Sequence, residues 1–218
     1  MRTRFDEQLD ILNATLIELG GMIEYAIDAS ARALMKRDVR LARAVMAYDP
    51  SVDQKEREIE QMCLRLLLQH QPVARDLRFI SAALKMITDM ERIADQAADI
   101  SELVTMLDAR AFAETPVHIP EMARCASDMV HCAINAFVGR DKDAAHAVID
   151  ADDRVDGLFD AVKRDLIDWI ARAPDVGSSA LDLLMIAKYL ERIGDHAVNI
   201  AEWVVFAVTG IHKGEGEA

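Results

Sequence analysis

Four pairs of carboxylates stand four residues apart in this chain: Asp49 and Asp53, Glu91 and Asp95, Asp152 and Asp156, Glu191 and Asp195. On a helix that spacing puts both acids of a pair on one face, about 5–6 Å apart at Cβ. Like charges so placed cost a few tenths of a kcal/mol in an isolated helix. Two pairs brought side by side would gather four carboxylates. Such an all-oxygen donor set suits hard or borderline cations such as Mg²⁺, Ca²⁺, Mn²⁺ or iron. Asp99, Glu102, Asn199 and Glu202 prolong the same faces. The bland alternative is a solvated helix face, and on spacing alone it is the commoner use of such a stripe. At about 100° per residue, Glu91, Asp95 and Asp99 lie nearly opposite Met90, Ile93 and Ala97. They are therefore predicted to point outward, so that any metal they held would be superficial and completed by water.

Other chemistries have little support. There is no Gly-rich phosphate loop, no His-Glu-x-x-His and no Cys/His nucleophile pattern. Neither Glu91 nor Glu191 has a histidine three residues on, which di-iron helical bundles require. His196 follows Asp195, but Gln96 occupies the related position, so a structural or exposed histidine is the expectation. Arg92 and Arg192 read as surface partners of nearby acids. The cysteines Cys63, Cys125 and Cys132 are odd in number and form no Cys-x-x-Cys, which argues against disulfides and a thiolate zinc site. Cys125 and Cys132, seven residues apart, fall on one helical face as small core residues. The 11 methionines read mostly as core filler.

The elements that position the acids are written twice. Residues 91–102 read Glu-Arg-Ile-Ala-Asp-Gln-Ala-Ala-Asp-Ile-Ser-Glu, and residues 191–202 read Glu-Arg-Ile-Gly-Asp-His-Ala-Val-Asn-Ile-Ala-Glu, identical at seven of 12 positions. A period of 100 residues is too long for a solenoid unit and fits a duplicated domain. Upstream, the segment Val45 to Asp53 matches Val148 to Asp156.

Apolar residues recur at three and four positions through Phe5, Leu9, Leu12, Leu16, Leu19, Ile23, Ala26 and Leu34, predicting one long helix across Gly20-Gly21. Asp38 can cap a second helix, kinked or restarted at Asp49-Pro50 and ended by Gln69-His70-Gln71-Pro72. A third runs from Val73 to about Leu107, with a seam of Met86, Met90, Ile93, Ala97, Ile100, Val104 and Leu107. Residues 108–118 read as a linker. The second half repeats the plan: a helix from Pro120 to about Val138, a break at Gly139-Arg140-Asp141, a helix to about Ile170, and a sixth capped by Ser178 or Ser179 and ending near Val208.

The fold class is therefore all-α: two tandem three-helix bundles, residues 1–110 and 116–211, with a disordered Gly/Glu-rich tail at 212–218. Sparse Gly and Pro and only 5% aromatic residues agree with helices and argue against a β-sandwich or barrel. A net charge of −13 disfavours nucleic acid and anionic lipid surfaces. Asp6 and Glu7 stand where a signal peptide needs apolar residues, and no run reaches membrane-spanning length. A reduced, cytoplasmic protein without membrane insertion is the expectation.

The motif at Glu191 to Glu202 closely resembles the signature of the PhoU family of phosphate-transport regulators. Gln71-Pro72-Val73-Ala74-Arg75-Asp76-Leu77-Arg78 resembles that family's entry into its third helix. The first copy departs from the strongest pattern at Ala94, Gln96 and Asp99. The resemblance covers all but the tail. It implies two three-helix bundles and multinuclear surface metal clusters of iron, zinc, manganese or magnesium. The implied ligands are Asp49, Asp53, Glu91 and Asp95 in one bundle and Asp152, Asp156, Glu191 and Asp195 in the other. It further implies a non-enzymatic homodimer, peripheral at the inner membrane through its partners. Those partners would be the ATPase of the phosphate-specific ABC transporter and the sensor histidine kinase of the phosphate two-component system. Repression of the phosphate-starvation response through those contacts is the function implied; that bound cations neutralise the acid faces and let them dock is the mechanism expected from the acid stripe, and a metal-independent helical adaptor is the alternative.

Overall fold

Helix breaks of one design set the chain's course in both halves. At Arg37 (φ 56°) and Arg140 (φ 53°) the backbone turns left-handed, and the next residue is an aspartate. Asp38 accepts from the amides of Arg40 and Leu41 at 3.1 and 3.0 Å, and Asp141 from those of Asp143 and Ala144 at 3.0 Å each. Each carboxylate satisfies amides that the first turn of a helix leaves unpaired.

The computed structural model describes residues 2–108 and 116–211. Its helices are α1 (Arg2–Lys36), α2 (Val39–His70), α3 (Arg75–Met106), α4 (His118–Gly139), α5 (Lys142–Arg172) and α6 (Gly177–Thr209), with a 3₁₀ turn at Pro174–Val176 before α6. No strand occurs among the described residues. The expected tail at 212–218 and most of the expected linker lie outside them.

Helices α1–α3 form one three-helix bundle and α4–α6 the other. The seam read for α3 is buried throughout, as are the apolar positions read for α1. Pro50 lies inside α2 without ending it, and Gly20-Gly21 does not interrupt α1. Sequence reading placed a serine cap at Ser178 or Ser179. Instead α6 starts at Gly177 with no side-chain cap, because the 3₁₀ turn leads directly into it, and Ser179 is buried. Cys125 is buried as expected, but Cys132 is exposed. Seven residues are just under two helical turns, and the buried face of α4 has drifted past Cys132. The methionines divide: Met86, Met90, Met122 and Met129 are buried, whereas Met35, Met46, Met106 and Met185 are exposed.

The bundles share one continuous core. Helix α3 packs along α6, and α1 packs on α4. A Cβ on Gly20 would come within 2.7 Å of Ile134 Cδ1, so the missing side chain lets α1 approach α4 closely. Phe79 of α3 stacks on Phe137 of α4, ring centroids 4.4 Å apart. Burial also pushes the Cys63 thiol up to about 12, which leaves it an inert packing group.

Candidate functional site

The acid pairs of the first half meet across a helix–helix groove, and in the second half Asp152 of α5 lies against α6. In the first half α2 carries Asp49 and Asp53, and α3 carries Glu91 and Asp95. All four are half-buried, which corrects the outward orientation predicted for Glu91, Asp95 and Asp99. The reason is the position of α3: it packs on α1, α2 and α6 together. A residue opposite its apolar seam thus faces the shoulder of a neighbouring helix.

Burial and mutual repulsion act together in this groove. The Asp49 carboxyl is pushed above its ordinary range by burial, then by the charges of Asp95, Asp53 and Asp99. Glu91 is raised by burial and by Asp95, with Arg92 opposing. Glu56, which spacing did not single out, is raised by burial and by the charges of Glu60 and Asp53, and its own charge acts on Glu91. It stands one turn beyond Asp53 on the same helix face, and i,i+3 spacing from Asp53 was the available signal. Asp49 Oδ1 is buried without a hydrogen-bond partner. Counter-charges come from arginines, as the sequence suggested: Arg92 lies 3.5 Å from Glu91 and 3.1 Å from Asp95, and Arg57 lies 3.8 Å from Asp53.

The second groove has the same elements and a different balance. Asp152 and Glu191 are half-buried, whereas Asp156 and Asp195 are exposed. Lys188 pairs with Glu191. A Cβ on Gly194 would stand 3.3 Å from Asp152 Oδ1, so the glycine lets α5 bring that carboxylate onto the α6 backbone. Its counterpart in the first half is Ala94.

Among the described residues, no three His, Cys, Asp or Glu side chains converge tightly enough to hold an ion as they stand. The donor chemistry nonetheless fits a hard cation. The groups are carboxylates, they are partly desolvated, they repel one another, and Asp49 has an orphaned buried oxygen.

Sequence reasoning missed a polar clamp between the bundles. Asp89 of α3 is bonded by His196 Nδ1 at 2.9 Å and receives a hydrogen bond from Asn199 Nδ2 at 3.0 Å, both on α6. Tyr189 of α6 stands close enough to Asp99 of α3 for each to shift the other, with Arg192 close enough to favour the Asp99 charge. With the offset of 100 residues, Asp89 corresponds to Tyr189 and Asp99 to Asn199. The bonded set at Asp89 and the Tyr189–Asp99 approach thus stand at repeat-related positions. Asp99 and Asn199 serve the interface rather than simply extending the acid faces. The signal was present as divergence: the copies differ at 89/189, 96/196 and 99/199.

Comparison with known proteins decides the family. The PhoU domain model matches residues 16–104 and again 119–204. The chain belongs to the PhoU family. A phosphate-specific transport system accessory protein PhoU homolog from Zymomonas mobilis is 37% identical over 94% of this chain and 87% of its own length. A PhoU homolog of the same description from Pseudomonas aeruginosa is 33% identical over 95% of this chain and 86% of that protein. The crystal structure of PhoU from Pseudomonas aeruginosa superposes with a TM-score of 0.86 at 32% identity, covering 95% of this chain and 100% of that one. That of the phosphate transport system regulatory protein PhoU from Streptococcus pneumoniae gives 0.87 at 25% identity, covering 95% and 98%. The chain thus shares the PhoU fold over nearly its whole length. No described helix of this PhoU-family chain is long and apolar enough to cross a membrane.

Proposed function

We propose that this chain is an accessory regulator of phosphate uptake that restrains the phosphate-starvation response. It acts by docking on the ATPase of the phosphate-specific ABC transporter and on the sensor histidine kinase of the phosphate two-component system. The observation that carries the transport role is near-full-length similarity to phosphate-specific transport system accessory proteins. In this reading the chain is not an enzyme: it offers docking surfaces, works as a homodimer in the cytoplasm, and reaches the membrane only through partners.

Metal ions in the acid grooves belong to the same proposal. Asp49, Asp53, Glu91 and Asp95 would hold one cluster, and Asp152, Asp156, Glu191 and Asp195 the other. A bound cation, whether iron, zinc, manganese or magnesium, supplies positive charge that cancels the repulsion among these carboxylates. Asp49 offers its unpartnered buried oxygen inward, and Arg92 and Arg57 hold Glu91, Asp95 and Asp53 in place along the groove rim. With that charge cancelled, a surface of net charge −13 can approach an acidic partner.

The test is capture of the transporter ATPase by wild type and by an Asp95→Ala, Asp195→Ala variant, each with Mn²⁺ and with chelator, alongside metal analysis of both proteins. Metal-dependent capture, weakened about tenfold or more in the variant, is expected. Equal capture in all four conditions would leave a metal-independent helical adaptor. That second reading has an observation behind it: Arg92 already pairs with both Glu91 and Asp95.

A further inference from the structure

A cluster of arginines lies where α3, α4 and α6 meet, and it shares no residue with the acid grooves. A cavity of about 80 Å³ is lined there by Arg75, Arg140, Phe79, Phe137, Val204 and Val208 among others. At about 30 Å³ for each water in the liquid, this is room for two or three waters or one small ion. Its walls are about half apolar. Phe79 and Phe137 are stacked, and the Arg140 guanidinium sits 4.6 Å from the Phe79 ring centroid. Charges lining such walls interact more strongly than in open water.

Two positive charges line this space, and Asp76 is the acid close enough to act on Arg140. Arg140 is held below its usual range first by burial and then by the like charge of Arg75, while Asp76 opposes the shift. Arg140 makes no ion pair with Asp76, and among the described residues none is made by Arg75, Arg78 or Arg140. A third guanidinium stands one turn along α3. Arg78 rests 3.5 Å from the place a Cβ on Gly210 would take, and its Nε is buried with no hydrogen-bond partner. The N-terminus of α3 adds to the positive field, since Ala74 at its N-cap position has no side chain with which to cap it. Ala74 itself has φ 49° and ψ −112°, a conformation a side chain rarely adopts, directly before Arg75.

Repelling guanidiniums in a half-apolar cavity are unfavourable alone and become favourable around an anion. The fork of a guanidinium matches two oxygens of a tetrahedral oxyanion or a carboxylate, and it keeps its charge when desolvated. A cavity of about 80 Å³ has room for a small oxyanion. We propose that Arg75 and Arg140 form a binding site for a small free tetrahedral oxyanion of the phosphate or sulfate type. The site joins α3, α4 and α6, so an ion bound there ties the first bundle to the second.

The experiment is calorimetric titration of the full-length, metal-stripped protein with inorganic phosphate, sulfate and phosphoserine. Stripping removes any route by which phosphate could bind through a metal in the acid grooves. Saturable binding of phosphate or sulfate at one site per chain is expected. It should weaken at least tenfold in Arg75→Gln and in Arg140→Gln, and persist in the Asp95→Ala, Asp195→Ala variant. Arg75 is exposed, so its substitution leaves the core intact, and circular dichroism checks the fold of each variant. Absence of binding up to about 10 mM, where ΔG would be only about −3 kcal/mol, overturns the proposal. So does binding unchanged in both arginine variants, or binding of phosphoserine alone.

Discussion

At Asp49 the burial of one carboxylate oxygen and the charges of Asp95, Asp53 and Asp99 all act in one direction. The folded chain therefore holds a proton on Asp49 more tightly than the unfolded chain does. A group with a raised folded-state pKa contributes stability that is complete below the unfolded pKa and lost as pH rises through the folded one. Glu91, Asp99 and Glu56 share the direction. Mild acidification from neutral pH toward the carboxylate range should thus stabilise the metal-free protein against heat. Asp49→Asn should raise its stability at pH 7 by a few tenths of a kcal/mol, about the scale of one like-charge pair. Below the ordinary carboxylate range the difference should vanish. Thermal melts of both proteins in chelator across pH 4–7 check this, and a wild type that loses stability on acidification from pH 7 would contradict it. The same substitution should weaken metal binding, so one residue separates the two effects by sign.

Among the elements, the helix breaks carry the most local information. Asp38 and Asp141 each hold two amides, and each follows an arginine in the left-handed conformation. Loss of such a cap costs about 1 kcal/mol. Asp38→Ala and Asp141→Ala should each lower the denaturation free energy by about that amount, and the double variant by the sum, because the caps belong to different helices in different bundles. Urea unfolding of the two single variants and the double tests the additivity. The Asp38 cap was legible from one aspartate at the point where apolar periodicity restarts, and the second break from its repetition at Gly139-Arg140-Asp141. The start of α6 was not legible, since the 3₁₀ turn at Pro174–Val176 makes a serine cap unnecessary. Nor did the sequence decide whether Pro50 would interrupt α2. Packing of Val45, Val52 and Ile59 on one buried face keeps the helix continuous through it.

The whole molecule depends on contacts that neither bundle contains. Phe79 on Phe137, Ile134 over Gly20, and the Asp89–His196–Asn199 clamp all join the halves. Residues 2–108 or 116–211 expressed alone should expose these faces. Each half should bind a hydrophobic dye, melt without a sharp transition and self-associate, and mixing the halves should reverse all three. Dye fluorescence, circular dichroism and sedimentation would check this; two stable monomeric halves would contradict the shared core. The sequence by itself determined the helices, their order, the duplication and the eight acids, because periodicity, caps and i,i+4 spacing are local properties of a chain. Which face of α3 would remain open to solvent, how the copies diverged to bond one another, and the placing of Arg75 and Arg140 on one cavity were decided only by tertiary structure. Each depends on which helix lies alongside, and residues as far apart in the chain as Arg75 and Arg140 or Asp89 and Asn199 carry no local signal of having become neighbours.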